Sequence, residues 1–166
     1  RSSTATSAPT TTAAPTSAAS PSATRTVDPN IPAAARAHTP AGAEAFVRYF
    51  FAQLNTAWSK PEAGLISSLS AETCKTCLNF EREAAKSVLK NKRVIGPSIV
   101  LTLVETSDAT NPVKMTVLAI GYQPKSRVVD AAGKTVQTLR RERVRSHVTV
   151  QWRGTAWRIS EIQSLA

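Results

Sequence analysis

Acidic residues are scarce in this chain of 166 residues: eleven Asp and Glu stand against twenty-one Lys and Arg, a formal net charge of +10. The three aspartates, Asp28, Asp108 and Asp130, fall in an N-terminal tract or in turn-forming stretches. Glu44, Glu62, Glu72, Glu83 and Glu142 fall near expected helix starts or on faces expected to be wet. A general base needs a carboxylate or imidazole close to substrate and shielded from water. The pattern therefore argues against acid–base catalysis, and no catalytic residue is assigned; Glu105 or Glu161 buried beside Tyr122 would reverse that. Histidine is rarer still, with His38 expected in the N-terminal tract and His147 alone in a strand. The only two cysteines have no second ligand pair to complete a zinc site, so neither a metal nor a cofactor is expected. No run of about 18 apolar residues occurs, which excludes a spanning helix. No internal repeat is found.

Large apolar side chains are missing from the beginning of the chain: 25 of the first 29 residues are Ser, Thr, Ala or Pro. Such a segment cannot offset the entropy of ordering its backbone. Residues 1–30 are expected to form a disordered tether, and residues 31–166 a single domain. The chain starts inside this tract with neither Met nor a hydrophobic leader, as expected of a mature exported protein whose anchor lies upstream of Arg1. Its place would be the outer face of the cytoplasmic membrane or the cell wall, with membrane contact only through that anchor. A cytoplasmic protein with a loose N-terminus is the alternative.

Cys74 and Cys77 stand three apart, close enough in a first helical turn to be bridged. A disulfide suits an exported protein. Free thiols, a redox pair or a metal site are the weaker alternatives, since a redox pair would need βαβ surroundings that the sequence does not show.

The stretch from Thr39 to Ser59 reads as the organising helix. Ala43, Phe46, Val47, Phe50, Phe51, Leu54, Ala57 and Trp58 recur at helical spacing as one broad apolar stripe. Thr39 and Pro40 supply its start, and Glu44 and Arg48 stand four apart on the polar side. Phe51, at the edge of the stripe, is a candidate for self-association. Shorter helices are expected over Glu62–Leu69 and Cys74–Lys90, the latter turning Cys77, Phe80, Ala84 and Val88 inward.

From Val94 the period changes to two. Strands are expected over Ile99–Glu105 and Val113–Tyr122, separated by a turn at Ser107–Pro112. Val117-Leu118-Ala119-Ile120 is apolar on both faces, which suggests a central strand covered on both sides or lining a cavity. Arg127–Asp130 and Lys134–Leu139 flank a hairpin loop. Arg140–Arg153 alternates, with Val144, Val148, Val150 and Trp152 on one side and Arg141, Arg143, Arg145, His147 and Arg153 on the other. This basic ribbon is either a solvated strand protected by its charge or a docking stripe for an anionic envelope component or another envelope protein. It lacks interleaved aromatics for base stacking, so nucleic acid is not an expected partner.

Helices first and antiparallel strands afterwards is an α+β pattern, with N-terminal helices packed on a curved antiparallel sheet. The long aromatic-rich first helix, two shorter helices and a meander ending W-R-x-x-x-W-R-I resemble the nuclear-transport-factor-2-like (SnoaL-like, cystatin-related) cone fold over roughly Thr39 to Ala166. More narrowly, TPAGAEAFVRYFFAQLNTAW followed by LSAETCKTC is similar to a domain family of actinobacterial exported lipoproteins that has no assigned reaction. The resemblance implies a lipid-bearing cysteine ahead of the tether. It also implies a hollow between first helix and sheet; Phe46, Phe50, Phe51, Trp58, Trp152 and Trp157 are expected to fill it as core, and if it is open its candidate lining is Phe46, Phe50, Trp58, Tyr122 and Trp152. The function expected is a non-enzymatic, envelope-associated binding or accessory domain; a small apolar-ligand binder or degenerate enzyme using the cone cavity is the alternative.

Overall fold

A computed structural model describes residues 30–166; the expected tether, apart from Asn30, lies outside the described residues. A 3-10 turn, Ala33–Arg36, opens the described chain and buries Ile31 and Ala35. Helix α1 (Pro40–Ser59) follows, with the Thr39 hydroxyl accepting the Gly42 N–H at 3.1 Å. Gly42 is needed there, because a Cβ would lie 2.0 Å from the Ala37 carbonyl oxygen. The apolar stripe of α1 is buried from Ala43 to Ala57, and Phe51 is only 3% exposed. Phe51 therefore packs in the core with the rest of the stripe, and the alternative of self-association through it is overturned.

Helix α2 (Leu65–Leu69) starts later than its sequence suggests, because Gly64 takes a left-handed conformation at φ 94° that breaks the turn before it. Glu81, on helix α3 (Lys75–Leu89), reaches back to accept the N–H groups of Gly64, Ile66 and Ser67. A carboxylate from the neighbouring helix thus satisfies donors that a short helix leaves orphaned. Val88, expected inside, is 40% exposed. It lines a surface hollow with Pro61, Arg93 and Ala131 rather than joining the core.

The strands are β1 (Arg93–Ile95), β2 (Val100–Asn111), β3 (Lys114–Gln123), β4 (Ser126–Val129), β5 (Thr135–Leu139), β6 (Glu142–Arg153) and β7 (Ala156–Ser164). They form two antiparallel sheets, ordered β2-β3-β6-β7 and β1-β4-β5. Strand β2 runs through the expected turn at Ser107–Pro112, and the tight turn falls at Pro112-Val113 instead. Polar residues are tolerated there because this end of β2 is a wet edge, and register shifts after Leu101, Thr106 and Asp108 bend it.

The helices close both edges of the larger sheet. Glu44 and Arg48, expected to pair with each other, are turned onto β2: the Glu44 carboxylate accepts the Thr106 N–H at 2.8 Å and Arg48 donates to the Val104 carbonyl at 3.2 Å. Asn55, two turns on, accepts the N–H groups of Ser98 and Ile99 and donates to the Ile99 carbonyl. At the opposite edge, the Ala71 N–H and the Thr76 hydroxyl donate to the Ile159 and Ile162 carbonyls of β7. Backbone groups that would otherwise invite another strand are thereby occupied.

Candidate functional site

The alternation of β3 decides what the larger sheet presents. Met115, Val117 and Ala119 face the helices and are 3%, 0% and 0% exposed. Thr116, Leu118, Ile120 and Tyr122 point the other way and are half-buried. On the adjoining β6 the register sets Arg143 beside Tyr122, Arg145 beside Ile120 and His147 beside Leu118. Arg141 continues the row, its guanidinium carbon 4.5 Å from the centre of the Tyr122 ring, a cation–π contact. Ile120, Tyr122, Arg141, Arg143 and Arg145, together with Glu142, wall an open groove of about 750 Å³. Arg141, Arg143 and Arg145 are exposed, and the one ion pair among the described residues is Lys86–Glu83 on α3.

The expected ribbon is shorter than its sequence suggests. Arg153 sits at the β6–β7 turn, eight residues beyond Arg145, which along a strand is roughly 27 Å, and it lines a different hollow with Ser70, Glu72 and Arg158. His147 is half-buried, and Thr149 beyond it is only 9% exposed. The face offers three clustered arginines, not five basic groups in a continuous line.

The expected pocket lining disperses. Phe46 and Phe50 are 0% exposed and fill the space between α1 and the sheet together with Leu54, Val148, Val150 and Ile159. Trp58 packs edge-on against Phe80, with ring centroids 5.5 Å apart. Tyr122 lies on the outer face of the sheet. Trp152 lies at its far end, stacked 4.3 Å from His38 and edge-on to Trp157. His38 is therefore part of the domain: its Nε2 is 2.7 Å from the Pro112 carbonyl oxygen, and the Trp157 Nε1 beneath it donates to the Ala37 carbonyl. Aromatic rings of this size gain most by filling a hollow, and here they do. A cleft of about 280 Å³ opens beside Phe51, Phe80, Ile99 and Ile162 and is bordered as well by Glu142, Arg143 and Arg145. Glu105, on β2, and Glu161, on β7, are both exposed, and neither lies beside Tyr122 in a closed cavity.

Cys74 and Cys77 form a disulfide, with Cα atoms 5.2 Å apart and both residues 1% exposed. Cys74 also caps α3, its Sγ accepting the Cys77 N–H at 3.2 Å. Asp108, on β2 near the tip of the β2–β3 hairpin, has its carboxyl held below the usual aspartate value by hydrogen bonds from the Thr110 N–H and then the Thr110 hydroxyl.

Leu103, Leu118 and Ile120, which floor or border the arginine-bearing face, are absent from the expected site. The signal for Leu118 and Ile120 was present in the two-faced apolarity of Val117 to Ile120; none marked Leu103.

Fold and site together define a small α+β domain, helices packed against antiparallel sheets, whose inner face is filled and whose outer face carries arginines. The chain belongs to a family of unknown function, DUF6318, which matches residues 14–163. No curated protein matches it in sequence. Among solved structures it is similar to the intermembrane-space region of the chloroplast protein ARC6, at 13% identity and a TM-score of 0.58, over 77% of this chain and 97% of that one. A domain of unknown function with a cystatin-like fold from Nostoc punctiforme is 17% identical with a TM-score of 0.47, over 76% of this chain and 78% of that one. An NTF2-like protein of unknown function from Pseudomonas putida KT2440 is 11% identical with a TM-score of 0.45, over 75% and 87%. At these identities the likeness is one of fold alone. No helix among the described residues is long and apolar enough to cross a membrane.

Proposed function

We propose that the protein is a non-catalytic accessory domain of the cell envelope, exported and tethered through residues 1–29, that docks an anionic partner on the outer face of β3 and β6. The observation that carries this is the cluster Arg141, Arg143 and Arg145, exposed on the sheet face that the helices leave bare, with neither Arg143 nor Arg145 paired to a carboxylate among the described residues. Unpaired guanidiniums side by side favour carboxylate or phosphate groups, which they bind in bidentate fashion. The buried Cys74–Cys77 bridge and the composition of the first 29 residues support an oxidising, extracytoplasmic setting. A small apolar ligand in the cone is the poorer reading, because Phe46 and Phe50 occupy that space.

The test compares two variants that lose the same charge: Arg141→Ser/Arg143→Ser/Arg145→Ser on the sheet and Lys75→Ser/Arg82→Ser/Lys90→Ser on α3. Binding to fluorescent poly-glutamate is measured at low and at physiological salt. The sheet variant is expected to lose about tenfold or more in affinity, and the helix variant less than about threefold. Equal losses would mean diffuse charge attraction and no docking site.

A further inference from the structure

Strand β3 is apolar on both faces, yet the described residues cover only one of them. Val117 and Ala119 are 0% exposed under α1, while Leu118, Ile120 and Tyr122 stay half-open on the other side. Leu103 of β2, directly beside Ile120, is 40% exposed. A contiguous aliphatic strip on an open sheet face, with arginines along its β6 side and Glu105 beside Leu118 on its β2 side, has the anatomy of an interface: an apolar centre, and arginine and tyrosine at the places where binding energy concentrates. We propose that this face docks an acidic protein, which lays aliphatic side chains over Leu103, Leu118 and Ile120 and carboxylates against Arg141, Arg143 and Arg145. The proposal rests on the function given above and names the partner class for that same surface.

Charge and shape select the occupant. Two copies of this chain apposed by this face would set arginines against arginines in a molecule that already carries +10. The composition of residues 1–29 is poorly suited to a covering layer, because Val27 and four prolines are their only apolar side chains larger than alanine. A bilayer surface binds apolar side chains that project into it. Here Tyr122 lies beneath the Arg141 guanidinium, and Ile120 forms the side of a groove of about 750 Å³. A protein side chain can enter such a groove; a lipid surface meets the arginines first. An anionic polysaccharide would use the arginines and leave the aliphatic strip wet.

The test uses the full chain and two synthetic peptides of equal length and charge, one alternating Glu with Leu and the other Glu with Ser, with binding read by fluorescence anisotropy. Wild-type protein is expected to bind the Glu–Leu peptide about tenfold more tightly. That preference should vanish in Ile120→Ser and in Leu103→Ser, while the triple arginine variant weakens both peptides alike. Leu103 is already 40% exposed, so Leu103→Ser is expected to keep the fold, checked by its melting curve, and serves if Ile120→Ser does not fold. Equal, arginine-dependent affinity for the two peptides would leave the anionic docking function standing and overturn the acidic-protein partner; failure of both peptides to bind would overturn both. Phosphatidylglycerol vesicles that retain the protein in an Ile120-dependent manner would assign the face to a membrane instead. A dimer in sedimentation equilibrium, dissociated by Ile120→Ser, would assign it to a second copy. Either result overturns the proposal.

Discussion

The two faces of β3 are built from similar side chains and meet different fates. On one, Val117 and Ala119 lie under α1 with no exposure, locked among Phe46, Phe50 and Leu54. On the other, Leu118 and Ile120 lie among arginine stems with part of their surface in water. The inner face gains stability from complete removal of apolar area, about 25 cal/mol for each Å². The outer face leaves that gain partly unrealised. Hydrophobicity alone therefore does not identify the core of this domain; coverage does, and the helices supply only one layer of it.

Mutations should separate the two faces by size of effect. Phe50→Ala, on the helix surface that fills the inner face, is expected to cost about 3–5 kcal/mol in urea unfolding, through lost transfer energy and a cavity that neighbours cannot refill. Asn55→Ala acts at the seam between α1 and the β1–β2 connection. It strips the Ser98 N–H and both polar backbone groups of Ile99 of their partner, for an expected loss of about 2 kcal/mol. Removing the disulfide by Cys74→Ala/Cys77→Ala, away from either face of β3, should cost about 2 kcal/mol, because so short a loop restrains little of the unfolded chain. Arg143→Ser and Arg145→Ser, on the outer face, should each change stability by less than about 0.5 kcal/mol. The smallest effect concerns the β2–β3 hairpin tip. The folded state holds the Asp108 carboxyl below its ordinary value, so its contribution is present above that value and is lost as pH falls through the depressed one. The Thr110 amide resonance should report this titration below the range of the unfolded chain's aspartates, without movement of core resonances.

Much of the architecture is legible in local pattern. The stripe from Ala43 to Ala57 and the Thr39-Pro40 start define α1, the hairpin loop at Ala131–Gly133 lies where its turn residues put it, and three apart is the right spacing for a Cys74–Cys77 bridge. Contacts between residues distant in the chain are not legible in the same way. Glu44 and Arg48 look like a helix-surface pair and instead stitch α1 to β2, some sixty residues away. His38 looks like part of a loose leader, and a stacked indole from the last hairpin holds it in place. Arg153 shares its alternation with Arg145 but not its position, since a twelve-residue strand carries one pattern across two separate surfaces. Phe46 and Phe50 fill the hollow as core, while the other candidate lining residues part company: Trp58 packs at the base of α1, Tyr122 lies on the outer face and Trp152 at the far end of the sheet. Spacing reports the face of an element and says nothing of what lies opposite that face.

The most direct measurement is urea unfolding of Val117→Ser beside Ile120→Ser, the same strand altered three residues apart on opposite faces. Val117→Ser is expected to lose about 3 kcal/mol, by emptying packed volume and burying a hydroxyl, and Ile120→Ser about 1–1.5 kcal/mol, because its side chain is only half-buried. Equal losses would contradict the account, because they would show that the outer face is as much a part of the folded core as the inner one.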